Sequence, residues 1–293
     1  MLGAGILCVP VLAAPGDKPT APAKQATAAD FVGAETCATC HDAEAGKFAT
    51  NPHSKMAQLH GNKGVTCENC HGAGRAHAES GDAALIFNPA KAAPKEVDAK
   101  CLSCHNGKHQ NFDRSAHAEN NLSCTTCHSV HAAVTPEHLL KVAQPALCFQ
   151  CHTDIKSQFA MPFHHKVNEG LLVCSDCHNA HGAYGKKNLL SSAQQDQVCV
   201  KCHVEMAGPF VYEHAPSKTE GCVSCHTPHG SPNPRLLNRP SVNLLCLQCH
   251  SPSPNFSAES PGHNQNGANY NTCTICHTAI HGSNINKRFA TTY

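Results

Sequence analysis

The residues "CSDCHNAHG", 174–182, place two cysteines and two histidines in nine positions. Thiolates and imidazoles are ligands for soft and borderline metals. The question is what metal chemistry this crowding serves, and whether one metal can take all four groups. The stretch is one of a series. The 293-residue chain has 21 cysteines and 24 histidines, and twenty of the cysteines fall into ten units in which Cys-x-x-Cys is followed at once by His. In order they are Cys37, Cys40 and His41; Cys67, Cys70 and His71; Cys101, Cys104 and His105; Cys124, Cys127 and His128; Cys148, Cys151 and His152; Cys174, Cys177 and His178; Cys199, Cys202 and His203; Cys222, Cys225 and His226; Cys246, Cys249 and His250; and Cys273, Cys276 and His277.

Cys-x-x-Cys-His is the attachment signature of c-type haem. The thiols form thioethers with the haem vinyl groups, and the adjacent histidine becomes the proximal iron ligand. Zinc sites gather Cys and His in fours, and disulfide frameworks pair cysteines. Neither explains a histidine behind the second cysteine ten times in ten. Ten haems c are therefore expected, with the ten unit histidines proximal. Fourteen histidines remain for the distal side. If the units are taken in pairs, the first of each pair is followed by a histidine after 11–13 residues: His53, His117, His164 or His165, His214 and His263. The second is followed at short range by His77, His131, His181, His229 and His281. Between His164 and His165 the residue spacing alone does not decide, and His165 is favoured. His60, His109 and His138 are left for the surface or for haem propionates. Methionine is nearly excluded by supply, since only Met1, Met56, Met161 and Met206 exist. His181 is three residues from His178, at most about 10 Å of chain, too short to reach the opposite face of the same haem. It is expected on a neighbouring haem, the fifth. The four ligands of "CSDCHNAHG" then serve two irons.

Irons saturated by two histidines have no open position for substrate. That favours electron transfer over a multihaem reductase. A soluble electron store or shuttle feeding a terminal reductase is the alternative, since it would need the same haems.

The elements that must hold these groups are sparse. The chain has no Trp, 5% aromatic and 15% charged residues, against about 25% charged in an average protein. Ten haems give one per roughly 29 residues, so the rings must stack on one another and supply the apolar interior. The expected fold is mostly loops with short helices at the Cys-x-x-Cys turns, an elongated haem chain and almost no sheet, in keeping with 20 Gly and 19 Pro. The paired units repeat from Cys37, Cys101, Cys148, Cys199 and Cys246, with an insertion at 82–100. This divides the chain into a partial signal peptide (1–14), a disordered Pro/Ala/Lys linker (15–30) and a decahaem domain of five di-haem repeats (31–293). Cys8, the odd cysteine, falls in the apolar run of the signal. A net charge of +1 points away from nucleic acid. With two propionates and one residual ferric charge per haem, the loaded protein comes to about −9 by formal count.

The order of ten units, the paired histidines and the stretches "MPFHHKVNEGLLVCSDCHNAHG" (161–182) and "GPFVYEHAPSKTEGCVSCHTPHGSPNPRLL" (208–237) closely resemble the MtrA/DmsE/PioA family of periplasmic decahaem c-type cytochromes, over about residues 31–285. The resemblance implies an elongated haem file inserted into an outer-membrane β-barrel porin. It implies periplasmic or inner-membrane cytochromes as electron donors, and extracellular acceptors or an extracellular multihaem cytochrome outside. It places the chain in the periplasm, associated with the outer membrane. It also favours His165 over His164. A compact globule of this length would be about 50 Å across, too wide for a modest barrel, whereas a threaded file would be longer and narrower.

Overall fold

Each Cys-x-x-Cys-His unit is one helical turn. The computed structural model describes residues 25–59, 64–136, 138–190, 195–250 and 272–290. Within it, the histidine N–H of a unit donates to the carbonyl of the first cysteine, at 3.0 Å for His41, His152, His178, His203, His226 and His277, 2.9 Å for His128 and 3.1 Å for His250. A turn of this kind sets the two cysteines on one face with the histidine beside them.

The α-helices are α1 (Ala34–Ala38), α2 (Asp42–Ala49), α3 (Pro52–Leu59), α4 (Cys67–His71), α5 (Arg75–Ser80), α6 (Pro94–His105), α7 (Ala116–Glu119), α8 (Cys124–Cys127), α9 (Ala146–Phe149), α10 (Thr153–Gln158), α11 (Ala215–Thr219) and α12 (Val242–Cys246), of which α1, α4, α6, α8, α9 and α12 carry unit cysteines. Local signals start and stop them. Pro94 opens α6, where Glu96 accepts the N–H of Ala93 at 3.1 Å. Asn69 accepts the N–H of Thr66 ahead of α4 at 2.7 Å. Gly81, at φ 73°, closes α5 by donating to His77 O. Helices this short are not stable alone in water, so something outside them must hold them.

A side-chain core does not. Among the described residues the buried apolar side chains are Val97, Phe112, Phe159, Val167 and Val198, and Asn51, Glu68, Asp98, Ser115, Ser231 and Ser283 are buried beside them. The fold of the described residues is, as the composition predicts, loops, short helices and one two-stranded antiparallel pair, β1 (Phe163–His164) with β2 (Gly230–Ser231). No helix among the described residues is long and apolar enough to cross a membrane.

Polar side chains tie the frame. Glu68 accepts the N–H groups of Val32 and Gly33 at 3.0 Å and of Gly74 at 2.9 Å. Burial alone would raise its pKa, but these donors and Arg75 outweigh burial and hold it below the ordinary glutamate value. A repeated device joins odd units to even ones. Asp98 accepts the N–H of Cys124 at 2.8 Å, Asp196 that of Cys222 at 2.8 Å, and Asn243 that of Cys273 at 2.9 Å.

Of the stretch expected as a linker, residues 25–30 are among the described ones: Ala28–Asp30 form a 3-10 turn, and Arg75 Nε of α5 donates to Ala29 O. The expected signal peptide with Cys8, and His60 and His263, lie outside the described residues.

Candidate haem-iron sites

The frame brings histidines together in facing pairs. Ring centroids lie 6.1 Å apart for His41 and His77, 6.0 Å for His71 and His131, 5.8 Å for His105 and His53, and 5.8 Å for His128 and His181. They lie 6.2 Å apart for His152 and His117, 6.0 Å for His178 and His229, 6.2 Å for His203 and His165, 6.3 Å for His226 and His281, and 6.3 Å for His250 and His214. Metal–imidazole bonds are about 2.0–2.1 Å long, so two imidazoles on opposite faces of one iron have centroids about 6 Å apart. Ten pairs among the described residues fit that spacing. Nine join a unit histidine to one of the histidines expected on the distal side, and the other is His105 with His109, four residues apart, at 6.0 Å. His277 is the tenth unit histidine. Its expected partner, His263, lies outside the described residues.

His165 faces His203, whereas His164 is engaged elsewhere: Nδ1 bonds Met161 O at 2.5 Å and Nε2 bonds Glu169 at 2.9 Å. His181 faces His128 of the fourth unit, while His152 of the fifth is faced by His117. The assignment of His181 to the fifth haem is thus corrected, along with the idea that such a histidine ties consecutive sites. The reach is two units. His131, His181, His229 and His281 each face the unit histidine two units before the unit they follow, and His53, His117, His165 and His214 the one two units ahead. His77, with no unit two places back, faces the first unit. His109 is half-buried, with its ring centroid 4.1 Å from that of His181.

Hydrogen bonds orient the rings. If Nε2 takes the iron, Nδ1 carries the proton and donates. At every even unit the proximal Nδ1 meets a backbone carbonyl: His71 with Phe87 at 2.9 Å, His128 with His138 at 2.8 Å, His178 with Lys187 at 2.9 Å, His226 with Arg235 at 2.8 Å and His277 with Arg288 at 2.6 Å. Sequence reasoning missed these partners. The backbone presenting them is strained: Leu139, Lys187, Asn188, Arg235, Leu236 and Phe289 all have φ of 53–59°, at about 1–3 kcal/mol each. The available signal was the Leu-Leu pair at 139–140, 189–190 and 236–237, ten to twelve residues beyond the unit histidine. At the first insertion the same service comes from Phe87, which lines a cavity of 590 Å³ with His71, Leu85 and Lys91.

At the first four odd sites the distal ring is the anchored one. His77 bonds Asp82 O at 3.0 Å, His53 bonds Asn51 Oδ1 at 3.0 Å, His117 bonds Ala180 O at 2.9 Å and His165 bonds Pro228 O at 2.5 Å. Burial, then neighbouring imidazoles, hold His53, His131, His181, His214, His229 and His281 below the ordinary histidine value, His181 at about 4. These rings are neutral at pH 7 and ready to bind a metal.

The thiols run in chain order. Cys37 neighbours Cys67, Cys70 neighbours Cys101, Cys101 neighbours Cys124, and Cys127 neighbours Cys148 and Cys151. Cys148 neighbours Cys174, Cys177 neighbours Cys199, Cys199 neighbours Cys222, and Cys246 neighbours both Cys225 and Cys273. The ten attachment points thus form one file.

A family model described as the doubled CXXCH motif matches residues 115–157, 164–208 and 214–254. Each match takes an even unit with the next odd one, out of phase with the odd–even repeat. Both phases have physical content: the capping Asp and Asn side chains join odd to even, and each matched segment supplies the histidine that faces its own odd unit. The chain is 32% identical over 270 residues to "Multiheme cytochrome MtrA" of Shewanella baltica (strain OS185), covering 86% of this chain and 79% of the relative. It is 32% identical over 121 residues to "C-type polyheme cytochrome OmcC" of Geobacter sulfurreducens, covering 35% of this chain and 15% of that one. It is 30% identical over 129 residues to "Cytochrome c-type protein NrfB" of Escherichia coli O6:H1, covering 40% and 64% respectively. With Cys-x-x-Cys-His turns following one another along the chain and a relative of that description matched over 86% of the chain, the chain belongs to the MtrA-type family of multihaem c-type cytochromes.

Proposed function

We propose that this chain carries electrons along ten bis-histidine c-type haems, one at each Cys-x-x-Cys-His unit, between the periplasm and the cell exterior inside an outer-membrane β-barrel porin. The observation that carries the reading is the string of faced histidine pairs in chain order, nine of them among the described residues. Bound haem supplies the Fe(III)/Fe(II) couple. The chain's own residues fill both axial positions, which keeps the potential low relative to Met/His ligation and leaves no site for substrate. That favours an electron carrier over an enzyme. The tenth site is completed by His277 with His263. The ordered unit is a decahaem domain of five di-haem repeats, preceded by a signal peptide.

Membership of the family supports the conduit. It supports a porin partner, periplasmic or inner-membrane cytochromes as donors, and an extracellular multihaem cytochrome or acceptor outside. A loaded charge of about −9 favours basic patches on donors. Two measurements test the reading. The purified holoprotein should carry ten haems per chain, all low-spin in the ferric state and inert to carbon monoxide. Reconstituted with its barrel in liposomes holding a reduced dye, it should reduce an acceptor outside while intact vesicles keep the dye. Reduction only through leaking vesicles would sink the conduit and leave the soluble shuttle. A high-spin iron that binds carbon monoxide would instead favour the reductase.

A further inference from the structure

Across the first eight of the nine paired sites, one ring per site has its Nδ1 anchored by a protein acceptor, proximal at even sites and distal at odd ones. The sixth site breaks the rule. His178 Nδ1 bonds Lys187 O at 2.9 Å, as at other even sites, but His229 Nδ1 also meets Gln158 Oε1 at 3.2 Å. The distal rings of the second, fourth and eighth sites (His131, His181 and His281) have no Nδ1 acceptor among the described residues.

Gln158 is held for this contact. It ends α10, and its carbonyl accepts the N–H of Met161 at 3.0 Å. The next residue, Phe159, is buried, with its ring 5.3 Å from His229. A ring that binds iron through Nε2 must present N–H at Nδ1, so only the amide oxygen of Gln158 can face it. Lys187 and Asp154 also lie near His229, with opposite effects on its charge.

We infer that Gln158 tunes the sixth iron, making it the lowest-potential centre among these eight. This rests on the bis-histidine reading above. An acceptor on Nδ1–H pushes electron density towards Nε2 and makes the imidazole a stronger donor, which favours ferric over ferrous iron. At the sixth site both ligands are strengthened, and at the others one. The sixth unit lies near the middle of the file, so the step up in energy falls there and divides the wire into two segments that fill with electrons before it does.

The test is a spectroelectrochemical titration of the full holoprotein. Gln158→Leu removes the acceptor, so the most negative one-electron component should move to more positive potential. Gln158→Glu strengthens the acceptor, so the same component should move the other way. Both variants should remain low-spin, and both effects should vanish in a Cys174→Ala/Cys177→Ala background that lacks the sixth haem. Unchanged titrations, shifts of the same sign, or a high-spin iron in Gln158→Leu would overturn the inference. If Gln158→Leu fails to mature, a negative shift in Gln158→Glu still supports it and no shift overturns it. A wild type with fewer than ten haems or a high-spin iron would instead fail the bis-histidine reading itself.

Discussion

His181 carries the sharpest consequence at the scale of single residues. It follows the sixth unit but faces His128 of the fourth. His181→Ala should therefore produce a single high-spin haem, seen by electron paramagnetic resonance. That signal should vanish when Cys124→Ala/Cys127→Ala also removes the fourth haem, and persist when Cys174→Ala/Cys177→Ala removes the sixth. The unit histidines stand out in the sequence because attachment chemistry would fix them next to their cysteines. The histidines proposed for the distal side stand out by spacing, but the rings they face do not, because a partner two units away leaves no mark in local spacing. Glu68 illustrates a different gap, since nothing in "CENCH" advertises a carboxylate that accepts three backbone N–H groups. Its folded pKa is depressed, so its contribution is complete above the ordinary value of 4.5 and is lost as pH falls through the folded value. Glu68→Gln leaves a buried donor poorly matched and should cost about 1–3 kcal/mol at pH 7. The gap between variant and wild type should close on acidification, as read by thermal unfolding at pH 7 and in steps below 4.5.

At the scale of elements, the joints between segments depend on a glycine placed directly behind a distal histidine: His181–Gly182, His229–Gly230 and His281–Gly282. A Cβ on Gly182 would sit 2.7 Å from Asn111 O, one on Gly230 would strike Gln158 O, and one on Gly282 the ring of Phe210. In each case the opposing segment carries a histidine that faces a unit two places on (His117, His165 or His214). The glycine lets two ligand-bearing segments lie backbone to backbone, and at Gly230 this contact is the β1–β2 pair. Gly230→Ala should cost about 1–3 kcal/mol by overpacking. It should also loosen the sixth site, where His229 is the neighbouring residue. A lowered melting temperature with partial high-spin character at one haem is the expected result, and an unchanged melting temperature would refute the close approach. The His-Gly dipeptides stand in plain view in the sequence. Their meaning needed the partner segment, some seventy residues away for Gly230. The left-handed loops behind the even units were hidden for another reason: Leu, Lys and Arg are poor residues for positive φ, so a propensity reading places no such turn there.

At the scale of the whole molecule, the expected lack of an ordinary core is the feature the composition told most clearly. Five buried apolar side chains among the described residues, at about 1.5–3 kcal/mol each, fall far short of the entropy of ordering so many loops, at about 1–2 kcal/mol per residue. On the proposed reading, the remainder comes from the thioethers, the iron–imidazole bonds and the stacked rings of the bound haems. Two sets of links then run through the chain: capping Asp and Asn side chains and neighbouring thiols between consecutive units, and histidines reaching two units in either direction. Beyond the first two units, where His77 faces His41, the two sets interleave and no short segment closes on itself, so haem binding and folding should be one event. The chain made without haem attachment should therefore show a far-UV circular dichroism spectrum close to coil and be digested by protease at many sites. The loaded chain should resist across its ordered span. The test separates haem from sequence as the source of structure, because the two forms share every residue. An apo-chain with the helical signal of the holoprotein would mean that the short helices have a stabilising partner other than haem, and the file would have to be a scaffold built before its cofactors arrive.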